Sequence, residues 1–444
     1  MNYINRVFLF KNSFYDKIII FSFSVFIFFF DFLREYIDFR LIIFIPFFFF
    51  IYEIYSKKKL ISKYYLLFLL ILLFLILQAQ AQNIDLPNKI YSFKSIIFLA
   101  VTASSIWYFS DKILKNLNFI FNFFLVFLFF YIIFFTIYRY DIHVQHDQCY
   151  IGCFSILNDN LKFFKENSHI GFISSTLIAY ILINLKKNNL YILPLAFFYL
   201  LIFLNFSLTI FISIIISLSY FLIFYYKSFN LYQKIFIIFL LISSIYKINV
   251  NSGAIDKIYN LIQINNWKVN ENLIFSDNIN DNKINDEGKN KVEKNINNPE
   301  PINKENSQKR KNLSSEVYIV SFNIAKQSIL EKPFGYGFNN YHLAFKKYID
   351  KMYVTNPLTK KLNVFDGSNN FAKLAAELGI FSIFIFYILL RFLFSKNIPF
   401  QYKFIIFPAL FSQTFIRGAG YFNGGYILFL VLTCYLLYRP NKKN

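Results

Sequence analysis

Residues 366–384, DGSNNFAKLAAELGIFSIF, decide the fold, because a polar, amide-rich segment passes there directly into an apolar helix. The stretch follows the one long hydrophilic segment of the chain and marks where the polypeptide returns to apolar surroundings. Glu377 lies within this helix, and a carboxylate inside a membrane-spanning helix is by default a functional hypothesis. The alternative is that Glu377 only accepts hydrogen bonds from a neighbouring helix.

The composition predicts a membrane protein with many spans. The 444 residues are 57% hydrophobic and 22% aromatic, with 63 Phe and 33 Tyr, which is unlike a soluble domain. Apolar runs of near-spanning length recur along the chain. The first run, residues 18–33, lacks the small-residue cleavage site of a signal peptide and is interpreted as a retained span.

We therefore predict an all-α polytopic fold with about twelve transmembrane helices and a large periplasmic loop before the last three. About 19 basic residues fall in alternate segments, against about 8 in the others, which places both termini in the cytoplasm. The formal net charge of +21 then reflects topology rather than nucleic-acid binding. The predicted spans are about 18–33, 41–55, 64–80, 95–110, 119–138, 170–185, 190–205, 207–224, 235–247, 371–390, 404–416 and 426–438. A merged or re-entrant helix at 190–224 is an alternative that Lys227 and Lys234 oppose.

Three regions follow from these spans. Residues 1–247 form an N-terminal transmembrane bundle of about nine helices, 248–370 the large periplasmic loop, and 371–444 the last three spans. Within the loop, residues 251–312 are rich in Asn, Lys, Asp and Glu and are predicted to be disordered. Residues 313–370 are predicted to be ordered, with a helix capped by Ser314 or Ser315, ended by Pro333, and followed by the turn FGYGFNNY.

Four short motifs lie in the last third of the chain: PFGYG at 333–337, Ser368-Asn369, ELG at 377–379 and IRGAGYFNGG at 416–425. Together they resemble the O-antigen polymerase and ligase superfamily, whose pattern is a proline with a G-x-G turn, an H-N pair and an apolar helix with E-x-G. Ser368 stands where the ligases carry His, which favours the polymerase branch. A second departure is Ser207-Leu208, where many relatives carry Ser-Arg.

The resemblance implies a GT-C-like glycosyltransferase of a bacterial inner membrane. It would transfer a growing glycan from polyprenyl diphosphate to a lipid-linked repeat unit on the periplasmic face. Its partners would be polyprenyl-diphosphate-linked oligosaccharides and membrane lipid, with a chain-length regulator protein as a further candidate and no nucleic acid. The alternatives are a ligase acting on the lipid A core, and a flippase or other transporter. A transporter predicts two related halves and ionisable residues deep in several spans.

Such a transfer needs a cation for the leaving diphosphate and a base for the attacking hydroxyl. Arg417 is the main cation candidate, because its planar fork suits phosphate and glycines follow it. Its alternative role is to snorkel at the membrane interface. The base candidates are His342, Asp366 and Glu377; Asp366 has the alternative role of capping the following helix or turn. The substrate-binding candidates are Arg139, Asn369, Asn370, Tyr336, Tyr421 and Asn423.

No cofactor or metal is predicted. His143, His146, Cys149 and Cys153 share a predicted outside loop, but H-x-x-H followed by C-x-x-x-C is no standard zinc spacing. A local disulfide between the two cysteines is an open alternative in a periplasm. Glu35 and Asp38 lack the D-x-D pattern of metal-dependent membrane glycosyltransferases.

Overall fold

The protein is helical throughout the residues that the computed structural model describes, which confirms the all-α prediction for that part of the chain. The described residues are 14–28, 38–57, 63–81, 85–127, 130, 167–185, 191, 208–250 and 313–439, apart from 353, 355 and 419. The predicted disordered segment 251–312, nearly all of the predicted span 190–205 and both chain termini lie outside them.

The first eight helices form one bundle around a Phe-rich core. Phe23, Phe121 and Phe124 are almost completely buried in it, together with Phe404 from later in the chain. A short 3₁₀ turn, Phe39–Ile43, precedes the second helix. The helices are α1 Phe14–Phe28, α2 Phe44–Lys57, α3 Lys63–Ala81, α4 Leu86–Lys115, α5 Leu117–Phe127, α6 Asn167–Leu185, α7 Leu208–Tyr225 and α8 Leu231–Val250.

Polar contacts around the buried Glu53 join three of these helices. Glu53 of α2 accepts hydrogen bonds from the hydroxyls of Tyr15 and Tyr108, each at 2.7 Å. Lys112 of α4 lies 3.4 Å from the Glu53 carboxylate and 2.7 Å from that of Asp16. Glu53 is the buried charge among these contacts, and it shares its partner of opposite sign, Lys112, with the partly exposed Asp16, so the contacts join α1, α2 and α4.

The last third of the chain contains six further helices. Two lie before the 366–384 stretch, one lies within it, one begins in it and two come after it. Helix α13 passes at its end into a π-helical turn, Ser412–Ile416. These helices are α9 Leu313–Glu331, α10 Tyr341–Tyr348, α11 Asn370–Leu378, α12 Ile383–Phe394, α13 Phe400–Phe411 and α14 Tyr426–Tyr438. Helix α13 packs on α6, α14 on α4, and α9 on α11.

The helix predicted after residue 312 is present as α9, and it ends before Pro333 as predicted. The predicted N-cap was wrong, because the helix already begins at Leu313 and places Ser314 and Ser315 in its first turn. Glu316 of this turn is fully buried and accepts hydrogen bonds from the Asn356 amide and the Thr359 hydroxyl. Tyr336, Tyr341, Phe345 and Tyr348 pack with α9 into a second small core.

Two of the described helical segments are long and apolar enough to cross a membrane, Leu86–Lys115 and Asn370–Phe394. The second is not one continuous α-helix, because Gly379 has a φ of +61° and a 3₁₀ turn, Gly379–Ser382, joins α11 to α12. The single span predicted at 371–390 is therefore bent at its ELG motif. Shorter apolar helices are found among the same residues, and the total of twelve spans stays a prediction.

Candidate functional site

The PFGYG turn is hydrogen-bonded to the bend between α11 and α12. The Tyr336 amide donates to the Ala376 carbonyl and the Gly337 amide to the Glu377 carbonyl, each at 2.9 Å. The Ile380 amide returns a hydrogen bond of 2.9 Å to the Pro333 carbonyl. These bonds satisfy carbonyls that the broken helix leaves without helical donors, so the turn and the bend stabilise each other.

Glu377 lies at the centre of this junction and is fully buried. Its carboxylate accepts hydrogen bonds from the backbone amides of Asn339 at 2.7 Å and Tyr341 at 3.0 Å. The Tyr421 hydroxyl donates a third at 2.6 Å, and Lys373 Nζ lies 3.8 Å from the carboxylate. Both oxygens are thus engaged inside the protein, by donors from two turns. Its predicted role as a general base stays a prediction.

Lys373 completes the junction, and it was not singled out as a site residue from the sequence. Its Nζ donates to Asn339 Oδ1 at 2.9 Å and to the Phe365 carbonyl at 2.7 Å, and lies 4.8 Å from the centre of the Tyr421 ring. The signal that points to it is its position four residues before Glu377, on the same face of α11. Lys373 and Glu377 together join the 363–370 loop, the FGYGFNNY turn and the 417–425 turn.

Arg417 lies against the amide-rich end of the 366–384 stretch. The Gly418 amide donates to the Ser368 carbonyl at 2.9 Å, and Arg417 Nη1 lies 3.4 Å from Ser368 Oγ. Asn363 Nδ2 donates to the same hydroxyl oxygen at 2.9 Å. Arg417 is half-buried. Two motifs that are about fifty residues apart in sequence therefore meet in space.

The π-helical turn sets the position of Arg417. The Arg417 amide donates to the Ser412 carbonyl at 2.9 Å, a bond that spans five residues rather than the four of an α-helix. Gln413 of the turn donates to the Gly424 carbonyl at 2.7 Å, and the Tyr318 hydroxyl donates to the Phe415 carbonyl. Such turns are frequent at functional sites, and this one fixes the backbone on both sides of the candidate cation.

Asp366 and Asn423 both lie close to Gly420. A methyl group at Gly420 would be 3.3 Å from Asp366 Oδ1 and 3.8 Å from Asn423 Nδ2. Asp366 is half-buried, and the N-cap of α11 is Asn369, so Asp366 does not cap that helix. The carboxylate of the second predicted base therefore lies beside the glycine-rich 417–425 turn.

Asn369 and Asn370 are fully buried beside the same turn. Asn369 Oδ1 accepts from the Ala372 amide at 2.8 Å, while its Nδ2 has no hydrogen-bond partner in the protein. Asn370 is fully buried, and neither atom of its side-chain amide has a partner. A methyl group at Gly418 would lie 2.6 Å from Asn370 Oδ1, so only glycine allows this approach. Buried amides of this kind favour a polar ligand, because leaving them unsatisfied is costly.

His342 lies one helix away, on α10. Its Nε2 lies 2.9 Å from Asn88 Oδ1 of α4, and its ring packs at 5.3 Å from that of Phe365. Burial lowers the pKa of the His342 imidazole, and the positive charges of Lys346 and Lys373 lower it further. The imidazole is therefore neutral near pH 7, with Nε2 donating to Asn88.

Tyr336 and Tyr421, two of the predicted substrate-binding residues, are buried within the protein. Tyr336 donates to the Tyr348 hydroxyl at 3.0 Å inside the second core. Tyr421 stacks on Phe338 with 5.0 Å between ring centres, and its other contacts are Glu377 and Lys373. Both rings therefore hold the loops in place in this conformation.

Most of the remaining candidates cannot be placed relative to this site. Arg139, His143, His146, Cys149, Cys153 and Glu35 lie outside the described residues. Asp38 pairs with Arg40 at 2.6 Å in the 3₁₀ turn before α2. In the part of the chain that the structure describes, no group of three or more His, Cys, Asp or Glu side chains is arranged to hold a metal ion.

No protein-family model matches the chain, and no curated protein or solved structure matches it either. The resemblance to the polymerase and ligase superfamily therefore rests on the motif residues themselves.

Proposed function

We propose that this chain is a membrane-embedded glycosyltransferase that polymerises lipid-linked glycan repeat units. The observation that carries the proposal is the meeting of Arg417 with the 366–370 turn. It brings a guanidinium, the Asp366 carboxylate and two buried amides with unsatisfied atoms to the same 417–425 turn. A cation, a base and neutral hydrogen-bonding groups are what transfer from a sugar diphosphate requires.

In this reaction the acceptor hydroxyl oxygen attacks the anomeric carbon of the donor sugar. The bond from that carbon to the diphosphate oxygen breaks, and the diphosphate leaves with the bonding electron pair. Arg417 binds the diphosphate, because its fork holds two phosphate oxygens and its charge offsets the one that develops on the leaving group. The glycines after Arg417 let a bulky ligand approach the backbone.

Asp366 takes the proton of the acceptor hydroxyl. It is the base candidate whose carboxylate is both half-buried and beside the glycine-rich turn, whereas Glu377 is fully engaged in holding the loops. His342 is the second candidate, since its neutral imidazole has a lone pair available on Nδ1. Asn369 and Asn370 hydrogen-bond sugar hydroxyls, which satisfies their unpartnered amide atoms.

The 366–370 loop and the 417–425 turn then lie at the periplasmic face of a bacterial inner membrane. The chain crosses that membrane twelve times and has both termini in the cytoplasm. Two long apolar helical segments support a membrane location. Large apolar side chains also lie exposed along α3, α8 and α12, as lipid-facing helices require. These include Leu69, Leu70, Leu73, Ile235, Ile238, Ile242, Ile383 and Phe384.

Deletion of the gene in its native host tests the proposal against both alternatives. Loss of a polymerase leaves surface glycans of a single repeat unit. Loss of a ligase leaves long glycans attached to polyprenyl diphosphate. Loss of a flippase leaves single repeats on lipid at the cytoplasmic face, where an added periplasmic glycosidase cannot reach them. Mass spectrometry of the lipid-linked pool and gel analysis of surface glycans separate these outcomes, and unchanged glycans would reject all three.

A further inference from the structure

Lys373 is a buried lysine whose ammonium contacts the loop that carries Asp366. Its Nζ donates to the Phe365 carbonyl at 2.7 Å and to Asn339 Oδ1 at 2.9 Å. The Glu377 carboxylate, at 3.8 Å, offsets the buried charge but is beyond ordinary hydrogen-bond distance. The hydrogen bonds of this ammonium therefore go to two loops rather than to the acid on its own helix.

The other side of Asp366 rests on the same lysine. A methyl group at Gly367 would lie 3.1 Å from Lys373 Cβ and 3.2 Å from the Lys373 amide nitrogen, so the loop lies directly on the first turn of α11. The amides of Asp366 and Gly367 both donate to the Asn363 carbonyl, at 3.3 and 3.0 Å. Lys373 thus contacts both the residue before Asp366 and the residue after it.

The backbone of this loop is strained, so its conformation depends on such contacts. Asn363, Gly367 and Ser368 have positive φ angles of +56°, +64° and +60°. Residues other than glycine adopt this region at a cost in free energy, and they persist there only where the surrounding structure holds them. Without the contacts from Lys373, the loop can relax to a less strained conformation and displace Asp366.

We propose that Lys373 is a positioning residue for the reaction: it holds the Asp366 carboxylate where that group can take the proton of the acceptor hydroxyl. This inference rests on the proposed function, in which Asp366 is the base. A general base acts only within hydrogen-bond reach of the proton that it takes, so a displacement of about 1 Å removes most of its effect. The effect of Lys373 on the reaction passes through Asp366.

Hydrogen exchange of the purified full-length protein tests the contact with the loop, and it needs no substrate. Lys373→Met keeps an unbranched side chain but removes the ammonium. We expect the 363–370 peptide to exchange about tenfold faster, the effect of losing one hydrogen bond from a charged donor. Unchanged exchange of this peptide in a folded Lys373→Met protein would overturn the inference.

Lys403→Met is the matched control for this measurement. Lys403 is as buried as Lys373, and its Nζ likewise donates to a backbone carbonyl, that of Leu393 at 2.9 Å, at the far end of α12. Its substitution should leave exchange of the 363–370 peptide as in the unmodified protein. Equal acceleration of this peptide in both variants would show a general loosening of the fold and reject the inference.

Lys373→Gln is the second variant, used if Lys373→Met does not fold. Its side chain keeps a hydrogen-bond donor but is one bond shorter and carries no charge. The same faster exchange of the 363–370 peptide is expected. A folded Lys373→Gln protein with the exchange of the unmodified protein would also reject the inference.

Polymerisation kinetics on lipid-linked repeat units test the link to Asp366. Lys373→Met should lower kcat by on the order of 100-fold with little change in KM, because it displaces the base without removing a substrate contact. In an Asp366→Asn background the same substitution should have no further effect, since the carboxylate through which it acts is gone. A merely structural role would lower kcat by the same factor in both backgrounds. That result, or a normal kcat for Asp366→Asn alone, would reject the positioning role.

The exchange measurement does not depend on catalysis, so the two proposals can fail separately. If gene deletion leaves glycans unchanged while Lys373→Met accelerates exchange of the 363–370 peptide, the proposed function fails, and Lys373 fixes the Asp366 loop but not for this reaction. If deletion gives single-repeat glycans while exchange of that peptide is unchanged, the polymerase stands and the positioning by Lys373 fails.

Discussion

Gly335 lies directly against the backbone of Glu377: a methyl group on Gly335 would be 2.1 Å from the Glu377 carbonyl oxygen. The approach is repeated in the other direction, since a methyl group on Gly379 would be 1.9 Å from the Pro333 carbonyl oxygen. Both glycines have positive φ. The PFGYG and ELG motifs are therefore two halves of one backbone junction, which gives a physical reason for finding them in the same chain.

Gly335→Ala is expected to destabilise this junction by at least about 2 kcal/mol, because it combines a backbone clash with a strained positive φ. Thermal unfolding of the purified variant measures the loss. Gly288→Ala, in the segment predicted to be disordered, is the control and should unfold like the unmodified protein. Equal unfolding temperatures for the two variants would contradict the junction.

Arg417→Ala is expected to give single lipid-linked repeat units in place of long glycans at unchanged protein levels. A charge-assisted hydrogen bond contributes about 1.5–3 kcal/mol, or about ten- to 150-fold in activity. Arg417→Lys keeps the charge but loses the fork, so it should recover activity only in part. Arg391→Ala, at the far end of α12, is the matched control and should make normal glycans. Full-length glycans from a normally expressed Arg417→Ala protein would remove Arg417 from the site.

Glu377→Gln separates the structural role of this side chain from a role as base. The variant keeps the shape of Glu377 but turns one acceptor oxygen into a donor, so it should destabilise the protein by about 3–5 kcal/mol. Tyr421→Phe removes one of the donors to Glu377 and should cost less, about 1–3 kcal/mol. Chemical denaturation measures both. A Glu377→Gln protein of normal stability but without activity would instead support catalysis by Glu377.

The buried imidazole of His342 predicts a loss of stability in acid. Its pKa is lowered in the folded protein, mainly by burial, so the unfolded chain binds the proton first as the pH falls. The stabilising contribution is fully present above the unfolded pKa of about 6.5 and decreases below it. Between pH 7 and pH 5 the unfolding temperature should fall more for the unmodified protein than for His342→Gln. Parallel pH profiles would show that His342 has the same pKa in the folded and unfolded protein.

The helical spacing of apolar residues predicted α9, and Pro333 predicted its end, because both signals act on the local backbone. The same reasoning missed the bend at Gly379, since apolar residues continue through it without interruption. The bend depends on partners far away in sequence: Gln78 of α3 donates to the Glu377 carbonyl at 2.9 Å. A bend that is held by hydrogen bonds to residues far away in sequence leaves no periodic signal.

Part of the site could be anticipated and part could not. Arg417, Asp366, Asn369 and Asn370 were all candidates from the sequence, and the structure packs the 366–370 loop that carries three of them against the turn that begins at Arg417. The buried positions of Tyr336 and Tyr421 were not foreseen, because an aromatic residue in a glycine-rich turn has the same sequence pattern whether its ring contacts sugar or protein.

The π-helical turn before Arg417 has a consequence for how the site could arise and be lost. Such a turn is an α-helix with one surplus residue, inserted here within Ser412–Ile416. Removing a single residue from it would let α13 continue as a regular helix but rotate everything beyond by about 100°. The guanidinium of Arg417 would then face away from Ser368, although every residue of the 366–370 loop and the 417–425 turn would be unchanged. A one-codon deletion is thus enough to disconnect two halves of the site that no substitution has touched.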